Sequence, residues 1–190
     1  MSDHMTERLD SILKDISDRL AEKEAVRESS IAASRKVIRL SKNMIHAIHG
    51  GEDCSEPREE MRSIMSKMDR GSSATLDAMM EYSEAEILYA IVKGIEIPSP
   101  KDLDIDEGSW LMGMADTIGE LRRVILTHLM ESDLDSAKRL FTAMDELCEG
   151  LMVFDVPDAI LPIRRKQDVA RGLLERTRSD LLNATLTFSR

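Results

Sequence analysis

Two pairs of carboxylates stand at helical spacing in the middle of the chain. Glu81 and Glu84 are three residues apart, and Asp116 and Glu120 are four apart. Side chains at these spacings are neighbours on one face of an α-helix. Each pair borders an apolar arc of its own segment, so packing of the two helices would bring the four acids together. Such an oxygen-rich cluster is suited to Mg²⁺ or Mn²⁺.

The same spacing also has a simpler interpretation. The chain holds 36 acidic residues among 190, so acid pairs at helical spacing also arise by chance on solvated faces. Spacing alone therefore leaves a metal site and a solvated acidic face both open. Glu86 lies about 140° around the helix from Glu81, and we expect it to lie outside any such site.

Basic residues are concentrated towards the two ends of a chain whose net charge is −10. Residues 29–51 contain four Lys or Arg and no acid, and another basic run begins at residue 164. Positive charge is unfavourable at a helix N-terminus, so the second run predicts a partner, either phosphate or acids of a neighbouring subunit. The first run can also be a solvated face. The candidate phosphate-binding residues are Arg35, Lys36, Arg39, Arg164, Arg165 and Lys166.

Two histidines end the first basic run. His46 and His49 are three residues apart and are followed by Glu52 and Asp53. A metal site is one interpretation, but no third ligand has a recognisable spacing. Interaction with the carbonyl groups at a helix end is the commoner arrangement.

The composition predicts an all-α protein with a single domain over residues 1–190. Aromatic residues make up only 3% of the chain, Met occurs 13 times and Pro only 5 times. Two cysteines provide neither a disulfide framework nor a metal-binding spacing. No secretory signal or long apolar run is present, so we expect a cytoplasmic protein without a membrane partner.

Apolar periodicity and helix breakers predict six helices. The first is unusually long, which favours a bundle or an oligomer that covers its length. An acidic surface loop is expected between the third and fourth helices, at residues 95–108. The predicted helices cover residues 6–49, 55–70, 74–93, 109–130, 133–152 and 163–188.

Four short motifs, taken in order, resemble the translin family, and its Trax branch more than translin itself. A long helix contains Ser-Arg-Lys at residues 34–36, and residues 81–85 read Glu-Tyr-Ser-Glu-Ala. Residues 116–123 are similar to the family's Asp-Leu-Thr-Gly-Glu-Leu-Met-Arg, and residues 161–168 to its Leu-Arg-Arg-Lys-x-Asp. Thr117 and Ile118 replace the usual Leu-Thr, and residues 95–108 match poorly.

The resemblance implies a translin-like bundle of six to seven helices that assembles into a hollow octamer. It also implies a Mg²⁺-dependent endoribonuclease acting on single-stranded RNA, with single-stranded DNA as an alternative ligand. Glu81, Glu84, Asp116 and Glu120 match the catalytic and metal-binding positions of Trax-type subunits. A single archaeal-type chain would form a homo-oligomer.

Three other classes compete with a nuclease. A ferritin-like di-iron bundle would require Glu-x-x-His motifs, and the chain contains none. An all-α nucleotide pyrophosphohydrolase also uses clustered acids and Mg²⁺, but typically pairs Glu-x-x-Glu with Glu-x-x-Asp, whereas the second element here is Asp-x-x-x-Glu. A non-enzymatic translin-type RNA- or DNA-binding oligomer stays open.

Overall fold

The computed structural model describes residues 2–68 and 73–188, and within these residues it contains helices and no β-strand. The predicted all-α fold is confirmed. A 3₁₀ turn at Ser73–Thr75 precedes the third helix. The helices are α1 (Ser2–Gly50), α2 (Ser55–Met65), α3 (Leu76–Lys93), α4 (Pro100–Leu103), α5 (Glu107–Met130), α6 (Leu134–Met152) and α7 (Arg164–Phe188).

Helix α1 has two unlike halves. From residue 5 to residue 29 every side chain is exposed, and the first buried position is Ser30. Beyond it, buried residues recur at helical spacing through Val37, Met44 and Ile48. Only the C-terminal half therefore packs on the rest of the chain. The helix ends at Gly50 and is followed by Gly51, whose φ of +67° is readily adopted by glycine.

The core lies between α3, α5 and the packed half of α1. Helix α3 contacts α1 on one side and α5 on the other, while α6 and α7 cover the remaining faces of α5. Methionine fills much of the interior: Met44, Met61, Met79 and Met144 are all fully buried or nearly so. Unbranched Met side chains fill irregular gaps between crossing helices.

Helices α3 and α5 approach unusually closely at Gly113. A Cβ atom built on this glycine would lie 1.9 Å from the Ser83 Oγ and 2.5 Å from the Met80 carbonyl oxygen. The Ser83 hydroxyl donates across the crossing to the Ser109 carbonyl at 3.2 Å. The absence of a side chain at residue 113 thus sets how near α3 comes to α5, and with it the spacing of their carboxylates.

Replacement of Gly113 by alanine is expected to destabilise the protein by about 2–4 kcal/mol, because the new methyl group must displace the α3 backbone. At about 2–4 °C per kcal/mol for a chain of this size, the thermal midpoint should fall visibly. Gly119→Ala on the same helix is the matched control, since its Cβ would meet only Leu173 at 3.8 Å. Equal midpoints for the two variants would contradict the assigned crossing.

The predicted end of the second helix and the predicted loop at residues 95–108 are both wrong in part. Helix α2 ends at Met65 rather than near residue 70, which lies outside the described residues. The predicted loop at residues 95–108 contains the short helix α4, closed by a capping box between Ser99 and Asp102. Asp106 caps α5 by accepting from the Ser109 amide. Two acids of this segment therefore serve as helix caps.

No helix among the described residues is both long and apolar enough to cross a bilayer.

Candidate metal centre and its surrounding cations

The four predicted carboxylates lie on the packed pair α3 and α5, near enough for the charges of three of them to act on the fourth. Glu84 lies at the centre and is 9% exposed, while the other three acids are partly exposed. Negative charge from Asp116, Glu81 and Glu120 acts on Glu84. The sequence-based prediction that these acids converge is consistent with this geometry.

Burial changes how readily the α3 acids ionise. It raises the pKa of the Glu84 carboxyl to about 8, with the negative charge of Asp116 as the next largest cause. Burial also raises the pKa of Glu81, and the positive charge of Lys42 opposes this shift. A carboxyl that resists ionisation among like charges is a feature of functional sites.

The two α5 acids, by contrast, are held by cationic or hydrogen-bonding partners. The Lys166 ammonium, on α7, donates to both oxygens of Asp116 at 2.5 Å. Glu120 pairs with His49 Nε2 at 2.5 Å and with the Arg123 guanidinium at 3.2 Å. The His49 hydrogen bond is the largest cause of a lowered pKa at Glu120. The acid cluster is thus neutralised in part from α1, α5 and α7.

An open cleft of about 400 Å³ lies over three of the four acids, Glu81, Glu84 and Glu120. Its mixed lining offers oxygen ligands and positive charge side by side. The lining residues are Lys42, Ile45, His46, His49, Glu81, Glu84, Glu120 and Arg123.

Sequence reasoning missed the part that α1 plays in this cleft. His49 contacts Glu120, which is 71 residues away, instead of Glu52 or Asp53. Neither interpretation of the histidine pair, a separate metal site or a helix-end contact, describes this hydrogen bond. The sequence did contain a signal for this face. His46 lies four residues after Lys42 and His49 three residues after His46, which places all three on one side of the helix.

The donor set fits a hard divalent cation. Carboxylate oxygens are the ligands that Mg²⁺ and Mn²⁺ prefer, and a cation would relieve the repulsion that raises the pKa of Glu84. Among the described residues, no three His, Cys, Asp or Glu side chains are already arranged to hold an ion. Lys166 and His49 engage Asp116 and Glu120 instead, so ligation by all four acids requires these side chains to exchange partners.

The predicted phosphate-binding residues occupy two places. Arg35, Lys36 and Arg39 lie exposed on α1, and Lys36 pairs with Glu60. At the start of α7, Arg165 is exposed.

Two residues of the α7 run have acidic neighbours within the same chain. Arg164 pairs with Asp155 at 3.2 Å, and Lys166 pairs with Asp116. The Arg164 and Asp155 side chains are both exposed, whereas the Lys166 side chain is partly buried. Lys166 therefore belongs to the acid cluster.

Glu86 lies outside the cluster, as predicted, but it is not a solvated residue. Its side chain is fully buried and accepts from the guanidinium groups of Arg58 and Arg62, at 2.8 and 2.7 Å. Helix α2 supplies both arginines. Removing one member of a buried ion pair is strongly destabilising, so a Glu86 variant is unsuitable as a control for the site.

Comparison with known proteins gives relatives in sequence and in structure. An uncharacterized protein of Methanocaldococcus jannaschii is 37% identical over 173 residues, spanning 86% of this chain and 78% of that protein. No family model matches the chain.

Among solved structures, AfC3PO in complex with duplex RNA matches with a TM-score of 0.86 and 32% identity, covering 92% of this chain and 97% of that one. AfC3PO alone has the same score and identity over 94% and 99% of the two chains. Apo-NeC3PO, at 21% identity and a TM-score of 0.81 over 90% of this chain and 96% of that one, shows the same fold. With a third of its residues shared over almost the full length of AfC3PO, this chain belongs to the translin/Trax family of C3PO proteins.

Proposed function

We propose that this protein is a metal-dependent endoribonuclease that uses Mg²⁺ or Mn²⁺ to hydrolyse phosphodiester bonds of single-stranded RNA. The observation that carries the proposal is the burial of Glu84 among three further carboxylates, beneath a cleft bordered by Lys42 and Arg123. A solvated acidic face would not bury its central acid or raise its pKa to about 8.

Glu81, Glu84, Asp116 and Glu120 are the residues that would hold the ion. When bound, a divalent cation supplies a Lewis acid that polarises the phosphate and lowers the pKa of a water molecule. His49 orients the Glu120 carboxylate through its hydrogen bond.

The cations at the cleft would hold the RNA backbone. Lys42 and Arg123 border the cleft and offer positive charge to phosphate oxygens. Contacts of this kind position a nucleic acid without reading its sequence. With aromatic residues at only 3% of the chain, a base-stacking platform is not expected. The geometry therefore favours cleavage with little sequence preference.

Kinship supports RNA as the ligand. AfC3PO has been solved as a complex with duplex RNA, and this chain shares its fold and 32% of its residues. Because hydrolysis in a cleft requires the scissile phosphate to reach the acid cluster, we propose unpaired RNA as the substrate.

End-labelled single-stranded RNA, duplex RNA and nucleoside triphosphates, each incubated with Mg²⁺, Mn²⁺ or EDTA, test the proposal. We expect cation-dependent internal cleavage of single-stranded RNA and no turnover of triphosphates. Triphosphate turnover alone would identify a pyrophosphohydrolase instead. RNA binding without cleavage under any cation would identify a non-enzymatic translin-type binder.

The exposed arginines of α1 and α7 are proposed to contact phosphate outside the cleft. Combined replacement of Arg35, Arg39, Arg164 and Arg165 by glutamine should weaken RNA binding and reduce its salt dependence, because fewer counterions are released. Fluorescence anisotropy over a range of salt concentrations measures both effects. Arg171→Gln, which removes another exposed α7 charge, is the control. An unchanged salt slope would refute the assignment.

The exposed half of α1 is proposed to pack against further copies of the chain in a homo-oligomer, with an octamer as the expected state. Five large apolar side chains form a stripe along it, and each is about half exposed: Leu9, Ile12, Leu13, Ile16 and Leu20. Exposed stripes of this size mark interaction surfaces.

Light scattering tests the assembly. We expect an oligomer for the natural chain and dissociation for Leu13→Asp, which places a charge within the stripe. Ser11→Asp adds the same charge on the opposite side of the helix and should leave the assembly intact. A stable monomer at micromolar concentration would contradict the proposal.

A further inference from the structure

Among the cationic side chains described around the acid cluster, Lys166 alone approaches both oxygens of one carboxylate to 2.5 Å. Its ammonium reaches Asp116 from the first turn of α7 and donates to both carboxylate oxygens. The Lys166 side chain is 22% exposed and that of Asp116 is 36% exposed. The pair is thus partly withdrawn from water, where attraction between charges is stronger than at an open surface.

The influence of Lys166 extends beyond Asp116. Its positive charge also opposes the raised pKa of both Glu84 and Glu81. The other cations act more locally: Lys42 on Glu81, and Arg123 on Glu120. Lys166 therefore serves as a counter-cation for most of the cluster.

A divalent cation ligated by Asp116 would compete for the oxygens that the ammonium contacts. Both oxygens already accept from Nζ, so such an ion would place two positive charges within a few ångströms of each other. Like charges at that distance repel strongly in a partly buried site. One of the two must withdraw.

We propose that Lys166 is an internal competitor of the divalent cation: its ammonium holds Asp116 and must be displaced before Asp116 can ligate the ion. The inference rests on the proposed metal-dependent function of the same acids. Lys166 is a positioning residue that acts through Asp116. It keeps the cluster together without a divalent cation and lowers the affinity of the site for one.

Calorimetric titration with Mn²⁺ in the absence of RNA tests the competition independently of catalysis. Lys166→Met, which keeps an unbranched chain but removes the charge, should bind Mn²⁺ about five- to tenfold more tightly than the natural protein. Lys166→Arg keeps the charge and should bind like the natural protein. Arg171→Gln removes an exposed α7 charge and should change the affinity less than about twofold.

Thermal unfolding gives a second measurement. In EDTA, Lys166→Met should unfold at a lower temperature than the natural protein, because three of the four acids then lose a shared counter-cation. Added Mn²⁺ should raise its midpoint more than it raises that of the natural protein. If Lys166 has a purely structural role, Lys166→Met should have a lowered midpoint temperature that added Mn²⁺ does not restore.

The outcomes separate this inference from the proposed function. If the natural protein binds Mn²⁺ and Lys166→Met binds it equally or more weakly, the competition is refuted while the nuclease proposal stands. If Lys166→Met binds Mn²⁺ more tightly than the natural protein does, but the natural protein cleaves no RNA, the competition stands and the nuclease proposal fails. Absence of Mn²⁺ binding by both the natural protein and Lys166→Met would overturn both.

Discussion

Single replacement of Glu81, Glu84 or Glu120 by glutamine, or of Asp116 by asparagine, is expected to reduce RNA cleavage by about 100-fold or more. Each change removes one negative oxygen ligand from a site whose proposed chemistry depends on a bound cation. An amide has nearly the size of the acid it replaces, and it relieves repulsion in the cluster, so folding should survive. Initial cleavage rates at saturating Mg²⁺ or Mn²⁺ measure the effect.

RNA binding and a neutral control separate lost chemistry from lost structure. The phosphate-contacting cations are retained in all four variants, so RNA affinity should be unchanged or higher. Glu149→Gln, an exposed position on α6, should cleave at the natural rate. Equal cleavage by Glu84→Gln and Glu149→Gln would refute the catalytic assignment.

Glu84 should also make the protein less stable as the pH rises, and Glu84→Gln should remove most of this dependence. The folded-state pKa is raised from the ordinary 4.5 to about 8. Between these values the unfolded chain has released a proton that the folded chain retains, so the free energy of unfolding falls with increasing pH. Above pH 8 the loss is complete and on the order of a few kcal/mol.

Urea unfolding in EDTA at pH 5 and pH 9 measures this loss. The natural protein should be less stable at pH 9, whereas Glu84→Gln should be similarly stable at both. Glu81, whose pKa is also raised, leaves a smaller dependence of the same sign. Glu120, whose pKa is lowered, changes stability mainly below its ordinary pKa of 4.5 and so contributes little between pH 5 and pH 9. A natural protein that is more stable at pH 9 than at pH 5 would contradict the assignment.

Helical spacing indicated which acids could form a cluster, although it left a solvated acidic face open as well. The three-residue step from Glu81 to Glu84 and the four-residue step from Asp116 to Glu120 fix which side chains share a face. The apolar arcs beside them fix which faces turn inward. Both kinds of information are local, and a single sequence contains them.

The partners of these acids could not be predicted in the same way. His49 reaches Glu120 over 71 residues, and Lys166 reaches Asp116 over 50. Which helices become neighbours depends on the packing of the whole bundle, and periodicity does not specify it. Lys166 was therefore grouped with Arg164 and Arg165 as a phosphate contact, although it lies on the acid cluster.

Glu86, which lies outside the acid cluster, also has partners that helical spacing did not predict. Its angular distance from Glu81 was predicted correctly, but on that side of α3 two arginines of α2 reach Glu86. The arginines that make its burial tolerable lie 24 and 28 residues earlier in the chain. The long-range partners of a helix face decide whether an acid on it is solvated, and an isolated helical projection cannot reveal them.

The position of Lys166 on α7 also has a consequence during synthesis of the protein. The ribosome synthesises α3 and α5 completely before it reaches residue 166. Until then the nascent bundle carries its carboxylates without the ammonium that joins Asp116. The ion pair between Lys166 and Asp116 thus requires the last helix described. A chain that ends before α7 lacks this counter-cation, and its acids repel one another more strongly.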